Sequence, residues 1–323
     1  MSALRTVAIA LGALAVGAAN VSPARAETTL KHEEGKSLSC LVDGKVLWTL
    51  NFAKAEGKPY FHPVCLADGT VLTWLRPGDH IWHRALWFSW KFIDGLNYWE
   101  EDPKTGQTQG RNELVSVSAA GGDDFSARIA VTIAYHPPDK PAVMTEERIV
   151  TVSAPDAAGR YSLDWQTTFR AGARDVVLDR TPIRGEPNGV AWGGYAGLSV
   201  RLAKTLGQWR VLSSDALEDL KANEQNARWV DFSGADADTR REAGMAVLDH
   251  PGNLRHPSPW YVIMDPKAPF GYFSPAVLFR KAFTLPAGKV LLLRYRIIVH
   301  PGRLTKAQLD EAWQSFATSP ARA

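Results

Sequence analysis

The stretch Leu38–Phe52, LSCLVDGKVLWTLNF, decides the fold class. Leu38–Val42 and Val46–Phe52 are short apolar runs. Between them, Asp43-Gly44 is the dipeptide favoured by a two-residue hairpin turn, whose central residues need positive φ. The same pattern repeats outward. Tyr60–Leu66 and Val71–Leu75 flank Ala67-Asp68-Gly69-Thr70, and the aromatic run Ala85–Ile93 ends at Asp94-Gly95. Strands are expected next at Glu113–Ser118, Phe125–Tyr135, Val143–Ser153 and Tyr161–Arg170, with Arg128, Val131 and Ile133 leaving one register open. His136-Pro137-Pro138 and Ala154-Pro155-Asp156 break the pattern into turns.

Val176–Asp179, Tyr195–Ala203 and Trp209–Leu212 follow as strands, and Ser213–Ala222 reads as a short helix or an inserted loop. The last strands are Met245–Leu248, Trp260–Met264, Gly271–Phe273 and Val290–Val299. That final run, VLLLRYRIIV, is the most apolar and belongs deep in a sheet. One clear helix remains: Thr305 caps Lys306–Ala317, with Leu309, Trp313 and Phe316 at helical spacing. It is expected across one sheet or at its end. No internal repeat or linker divides the chain. The expectation is one all-β domain over residues 27–323, a large antiparallel β-sandwich with one C-terminal helix.

Residues 1–26 read as a signal peptide: Arg5, a short apolar run Val7–Ala19, and a small-x-small site at Ala24-Arg25-Ala26. The signal has a bacterial look, so the expected location is the periplasm, with a retained N-terminal anchor as the alternative. No later run is long enough to span a membrane. Losing Arg5 and Arg25 takes the formal charge from +3 to +1. Basic and acidic residues are interspersed, which argues against nucleic acid and against an anionic membrane surface as partners. Cys40 and Cys65 are the only cysteines, either a disulfide or two buried thiols on neighbouring strands.

The chemistry concentrates in Pro77–Glu101, PGDHIWHRALWFSWKFIDGLNYWEE. Asp79, His80, His83 and Arg84 bring proton-transfer and anion-binding groups together. Trp82, Trp87, Trp90, Tyr98 and Trp99 add flat apolar faces with polar edges, which suit the faces of a sugar ring. If Ala85–Ile93 is a strand, Leu86, Phe88, Trp90 and Phe92 form the core face and Trp87 lies on the open one.

Three segments resemble a family labelled PmoA-like: Tyr60-Phe61-His62-Pro63, then Asp79-His80-x-x-His83-Arg84 with Leu86-Trp87-Phe88, then Gly193-Gly194-Tyr195-x-Gly197-Leu198. The resemblance covers nearly the whole mature chain. It implies an exported β-rich protein similar in architecture to the galactose mutarotase-like supersandwich, whose members mostly act on carbohydrate. A methane monooxygenase subunit is excluded, since that would need several spanning helices. The family run usually reads Asp-His-x-His-His-Arg-Gly; here Trp82 replaces a histidine and Ala85 the glycine.

The expected catalytic residues are therefore His80 and His83 as acid and base, with Glu186 or Asp231 as partner carboxylate and Glu146 as a further buried acid. Asp79, Trp82, Arg84, Trp87, Tyr195 and His256 are the expected substrate-binding residues. No cofactor is expected, with a divalent metal on His80 and His83 as the alternative. There is no dinucleotide fingerprint, phosphate loop, Gly-x-Ser-x-Gly elbow or His-Glu-x-x-His. The expected function is a periplasmic carbohydrate epimerase, lyase or hydrolase of a modified glycoside, acting on a small-molecule or oligosaccharide substrate. The alternative is a non-catalytic glycan-binding or envelope-associated protein.

Overall fold

Apolar residues at a period of two build the chain into paired antiparallel strands. The computed structural model describes residues 28–122 and 126–321, so the expected signal at 1–26 lies outside the described residues. Strands β1 (Thr28–Glu33), β2 (Ser37–Val42), β3 (Lys45–Asn51), β4 (Tyr60–Val64) and β5 (Leu86–Ser89) pair in that order. Asp43 and Gly44 take φ of 47° and 74° at the β2–β3 turn, as that hairpin requires. Val71–Leu75 forms no ladder. Its residues bridge three different partners, Cys65, Leu202 and Arg84.

The Ala85–Ile93 run also breaks. After β5 the chain leaves the sheet, and β6 (Phe92–Ile93) turns through Asp94-Gly95 into β7 (Leu96–Asn97). A meander follows: β8 (Arg111–Gly121), β9 (Ala127–His136), β10 (Met144–Val152) and β11 (Tyr161–Ala171). In β9, Ile129, Val131, Ile133 and Tyr135 are buried and Arg128 faces out, which settles the register left open by the sequence.

After β12 (Val176–Asp179) come β13 (Gly197–Arg201), β14 (Leu206–Ser213), β15 (Trp229–Asp236) and β16 (Glu242–Asp249). Then come β17 (Trp260–Asp265), β18 (Phe270–Pro275), β19 (Phe283–Leu285) and β20 (Val290–Pro301). Strands β1, β7, β15 and β19 are additional to those expected. Ser213–Ala222 is a turn followed by a 3-10 turn at Asp219–Ala222.

One sheet runs β1-β2-β3-β4-β5-β13-β18-β17 and the second β14-β15-β16-β20-β11-β10-β9-β8. A small third sheet runs β19-β12-β6-β7. The apolar β20 sits between β16 and β11, central as its composition demands. The two large sheets pack face to face. Phe61 meets Trp165, Phe88 and Trp90 meet Phe169, and Phe232 meets Phe273, with ring centroids 5.1–6.0 Å apart. Glu146 lies inside this core, held by Tyr135, Thr167 and Arg148, so it is a structural acid.

Helix α1 (Lys306–Ala317) opens with a capping box. The Thr305 N–H donates to Gln308 Oε1 at 2.9 Å, and the Gln308 N–H to Thr305 Oγ1 at 3.3 Å. Leu309 and Phe316 pack with Trp229, Leu248 and Ile298 on the outer face of the second sheet.

Cys40 on β2 and Cys65 after β4 flank β3. Two strand spacings, about 9–10 Å, exceed the roughly 4.4–6.8 Å between the Cα atoms of a disulfide. Both are free, buried thiols, the second of the two alternatives left open by the sequence. Burial pushes their pKa values up to about 11 and about 12.

Candidate functional site

Strand register carries aromatic residues to the outer face of the first sheet. Tyr60 pairs with Trp87, Trp87 with Ser199, Arg201 with Tyr272, and Tyr272 with Ile263. Tyr261 shares that face by the period of two. The sequence reading leaves this face open, but Trp87 has no exposed surface. Tyr60, Trp87, Trp99, Tyr261, Tyr272 and Phe279 form a second apolar cluster there, apart from the main core. Trp87 is therefore floor rather than lining, and Trp90 lies in the main core.

Three segments fold over this floor. In the first, the His80 N–H donates to Pro77 O and the His83 N–H to His80 O, both at 2.9 Å. These successive turns bring the two imidazoles together, tilted by 38° with ring centroids 4.7 Å apart. The loop closes where Leu75 bridges Arg84, and Ala85 leaves it at φ 64°. That left-handed conformation favours glycine, which accounts for the glycine in the motif the sequence resembles.

The second segment follows the β6–β7 hairpin. Asn97 Oδ1 accepts from the N–H groups of Trp99 (2.7 Å) and Glu100 (3.1 Å), and Asn97 Nδ2 donates to Glu100 Oε2 at 2.6 Å. One side chain thus sets both the turn and the carboxylate. The third segment, Trp192–Tyr195, needs its glycines. A Cβ on Gly193 would lie 2.1 Å from Pro182 O, and one on Gly194 2.4 Å from the Phe279 ring.

Together these enclose a cavity of about 330 Å³. It is lined by His80, Trp82, His83, Trp99, Glu100, Trp192, Tyr195, Tyr261, Ile263, Phe270 and Tyr272. Trp192 is 61% exposed at its rim.

The polar groups of the cavity are tied to groups behind it. Asp79 Oδ2 lies 3.0 Å from His80 Nδ1 and 3.2 Å from the Arg201 guanidinium. A carboxylate only accepts, so Nδ1 carries the proton and Nε2 is left as the acceptor. Arg201 is buried flat against the Phe270 ring, 3.5 Å from its centroid, and Trp74 lies 5.2 Å away. Burial lowers its pKa to about 10 despite the Asp79 charge.

His83 is held well below the usual imidazole range, first by burial and then by the charges of His80, Arg201, Lys58 and Arg84, so it is neutral at pH 7. Glu100 receives Tyr195 Oη at 3.0 Å on Oε1, with Lys91 and Asn97 on Oε2. Burial alone would raise its pKa, but the Lys91 charge and these hydrogen bonds outweigh it and hold the carboxyl ionised, below its usual range.

Of the residues expected from the sequence, the cavity brings together His80, Trp82, His83 and Tyr195, with Asp79 one bond behind. Four others are elsewhere. Arg84 is buried behind the site, 3.0 Å from Glu101 and 2.9 Å from Ile81 O, so it meets no ligand. Glu186 is captured by Arg180 at 2.5 Å and the Ile183 N–H at 2.9 Å, where it folds its own turn. Asp231 sits on β15 in the second sheet, fully buried on His300 at 2.8 Å. His256 pairs with Asp249 at 3.0 Å and stacks on Trp313 of α1.

Sequence reasoning missed Glu100, Trp192, Tyr261, Ile263, Phe270, Tyr272 and Arg201. The Asn97-x-x-Glu100 spacing was the one available signal, since an Asn side chain caps the N–H groups two and three residues on. Among the described residues, no group of three or more His, Cys, Asp or Glu side chains is placed to hold a metal. No helix among them is long and apolar enough to cross a membrane.

A family model described as a family of unknown function (DUF6807) matches residues 37–314. The PmoA-like assignment suggested by the motifs is not confirmed. No curated protein matches the chain. Among solved structures, the chain is similar to an alpha-galactosidase from Lactobacillus brevis (TM-score 0.41, 9% identity), covering 90% of this chain and 41% of that one. It is also similar to a TPR-domain containing protein from Parabacteroides distasonis (TM-score 0.30, 12% identity; 85% and 47%). A polysaccharide lyase is similar at TM-score 0.25 and 10% identity (88% and 34%). The chain spans less than half the length of each.

Proposed function

The chain belongs to DUF6807, a family of unknown function, and from its pocket we propose an exported carbohydrate-active enzyme that uses His80 as its acid/base. It acts in the periplasm once residues 1–26 are removed. The observation that carries this reading is the Arg201–Asp79–His80 chain ending at an aromatic cavity.

Asp79 holds the His80 Nδ1 proton, so Nε2 can take a proton from a hydroxyl or a ring carbon and return it. Such acid/base transfer contributes roughly 10²–10⁴-fold in rate. His83, neutral beside it, is a second acceptor or donor. Trp82, Trp99 and Trp192 offer flat faces to a sugar ring, and Tyr261 offers a hydroxyl to its edge, while the Tyr195 and Tyr272 hydroxyls are held by Glu100 and Ser199. This chemistry rests on imidazole and calls for no cofactor. It suits epimerisation, elimination or glycoside hydrolysis.

The test is a thermal-shift screen against sugars, followed by turnover of each binder with wild type and His80→Gln. A ligand at a hundred times its Kd stabilises by about 2.7 kcal/mol, a readily visible shift. The expected result is retained binding with turnover reduced ~100-fold or more in His80→Gln. Equal turnover in both proteins overturns the role of His80. Binding with no turnover in wild type favours a glycan-binding role, to which the exposed Trp192 at the rim also lends itself.

A further inference from the structure

We infer that the cavity selects a neutral sugar and discriminates against uronates and other anionic sugars. This rests on the carbohydrate reading above. The argument is one of charge. Among the described residues no Lys or Arg lines the cavity and Glu100 is its one carboxylate, paired with Lys91 and accepting from Tyr195 and Asn97. His83 is neutral.

Arg84, Lys58 and Arg201 are each directed at a carboxylate outside the lining. Arg84 and Lys58 both bind Glu101, at 3.0 and 2.8 Å, and all three side chains are buried. Lys58 also donates to Trp99 O at 2.6 Å, and burial lowers its pKa to about 8. Arg201 has no exposed surface and is turned to Asp79. Asp79 is shared between the Arg201 guanidinium at 3.2 Å and His80 Nδ1 at 3.0 Å.

An anionic sugar would therefore lose its hydration to aromatic rings with no counter-charge to receive it, which is costly. A neutral sugar loses only hydroxyl hydration, and the Tyr261 hydroxyl and His80 Nε2 can replace part of it. The choice of substrate also narrows the reaction. Elimination from a uronate relies on a held, neutralised carboxylate to acidify the neighbouring C–H, and no group here does that. Epimerisation or hydrolysis of a neutral sugar remains.

The experiment compares matched pairs (glucose with glucuronate, galactose with galacturonate, mannose with mannuronate) by calorimetry on the full chain at pH 7. The expected result is that the neutral member of at least one pair binds about tenfold or more tighter than its uronate, the ratio for 1.4 kcal/mol. Ile263→Lys places a cation in the lining and should move that ratio toward the uronate. A uronate that binds wild type as tightly as its neutral partner overturns this inference and leaves the carbohydrate reading standing. Absence of binding by every sugar overturns both.

Discussion

Arg201→Met separates stability from site geometry. Arg201 has no exposed surface, and its Nε and one terminal nitrogen have no hydrogen-bond partner among the described residues. Each buried donor left unpaired costs about 1–3 kcal/mol. The return is modest. Asp79 is 40% exposed, so solvent screens the pair, and such pairs are worth roughly 0–1 kcal/mol. The two ring contacts add about 0.5–2 kcal/mol each. Cost and return nearly cancel, and methionine fills much of the same space while keeping contact with Phe270 and Trp74.

The unfolding free energy of the variant should therefore stay within about 1.5 kcal/mol of wild type, because Asp79, 40% exposed, is left hydrated and not as an unpaired buried charge. The consequence for the site is larger. Without the guanidinium, Asp79 keeps only His80, and the carboxylate that orients the imidazole becomes free to turn. A displacement of the order of 1 Å costs about 100-fold in rate.

Urea denaturation measures the first effect, and turnover of a sugar that wild type converts measures the second. Arg201→Lys, which keeps a charge without the planar fork, should recover part of the rate. Unchanged turnover in a folded variant would refute the positioning role. A stability loss beyond about 3 kcal/mol would refute the balance of terms.

Two further outcomes follow from buried groups. Burial lowers the pKa of His62 to about 4, burial and then Arg294 lower that of His250 to about 4, and His83 lies well below its ordinary value. Because unfolded imidazole titrates near ~6.5, their contribution to stability is fully present above that pH and is lost as pH falls toward 4. Urea midpoints should drop steeply over that window and less steeply in His62→Gln; a flat profile would contradict the burial of these rings. A thiol reagent should find no reactive cysteine in the native protein and two in urea. Finding none in urea would reinstate the disulfide between Cys40 and Cys65.

The fold was legible because its signals are local. Asp43-Gly44 makes its hairpin, Val176–Asp179 is β12, and Lys306–Ala317 is α1 at the bounds its cap and spacing set. The site was legible only where it too is local, in the turns that bring His80 against His83 beside Trp82. Period-two alternation says which residues share a face and nothing about what later covers it. Trp87 was expected in the open for that reason, and Trp99 from the next segment and Tyr272 from a later strand pack against it.

The carboxylates fail differently. Glu100 and Glu186 each lie near a motif, and their roles are decided by the nearest competing groups. Arg180 and the Ile183 N–H take Glu186 into its own turn, whereas Asn97 aims Glu100 at the cavity. Arg201 offers no motif at all. A lone arginine in an apolar strand reads as an edge charge, and only the register that sets it opposite Tyr272, on the face occupied by Asp79, turns it into the support of a dyad. In a sandwich of this kind the chemistry is chosen by the second covering of one sheet face, which depends on long-range register and so does not appear in any local pattern.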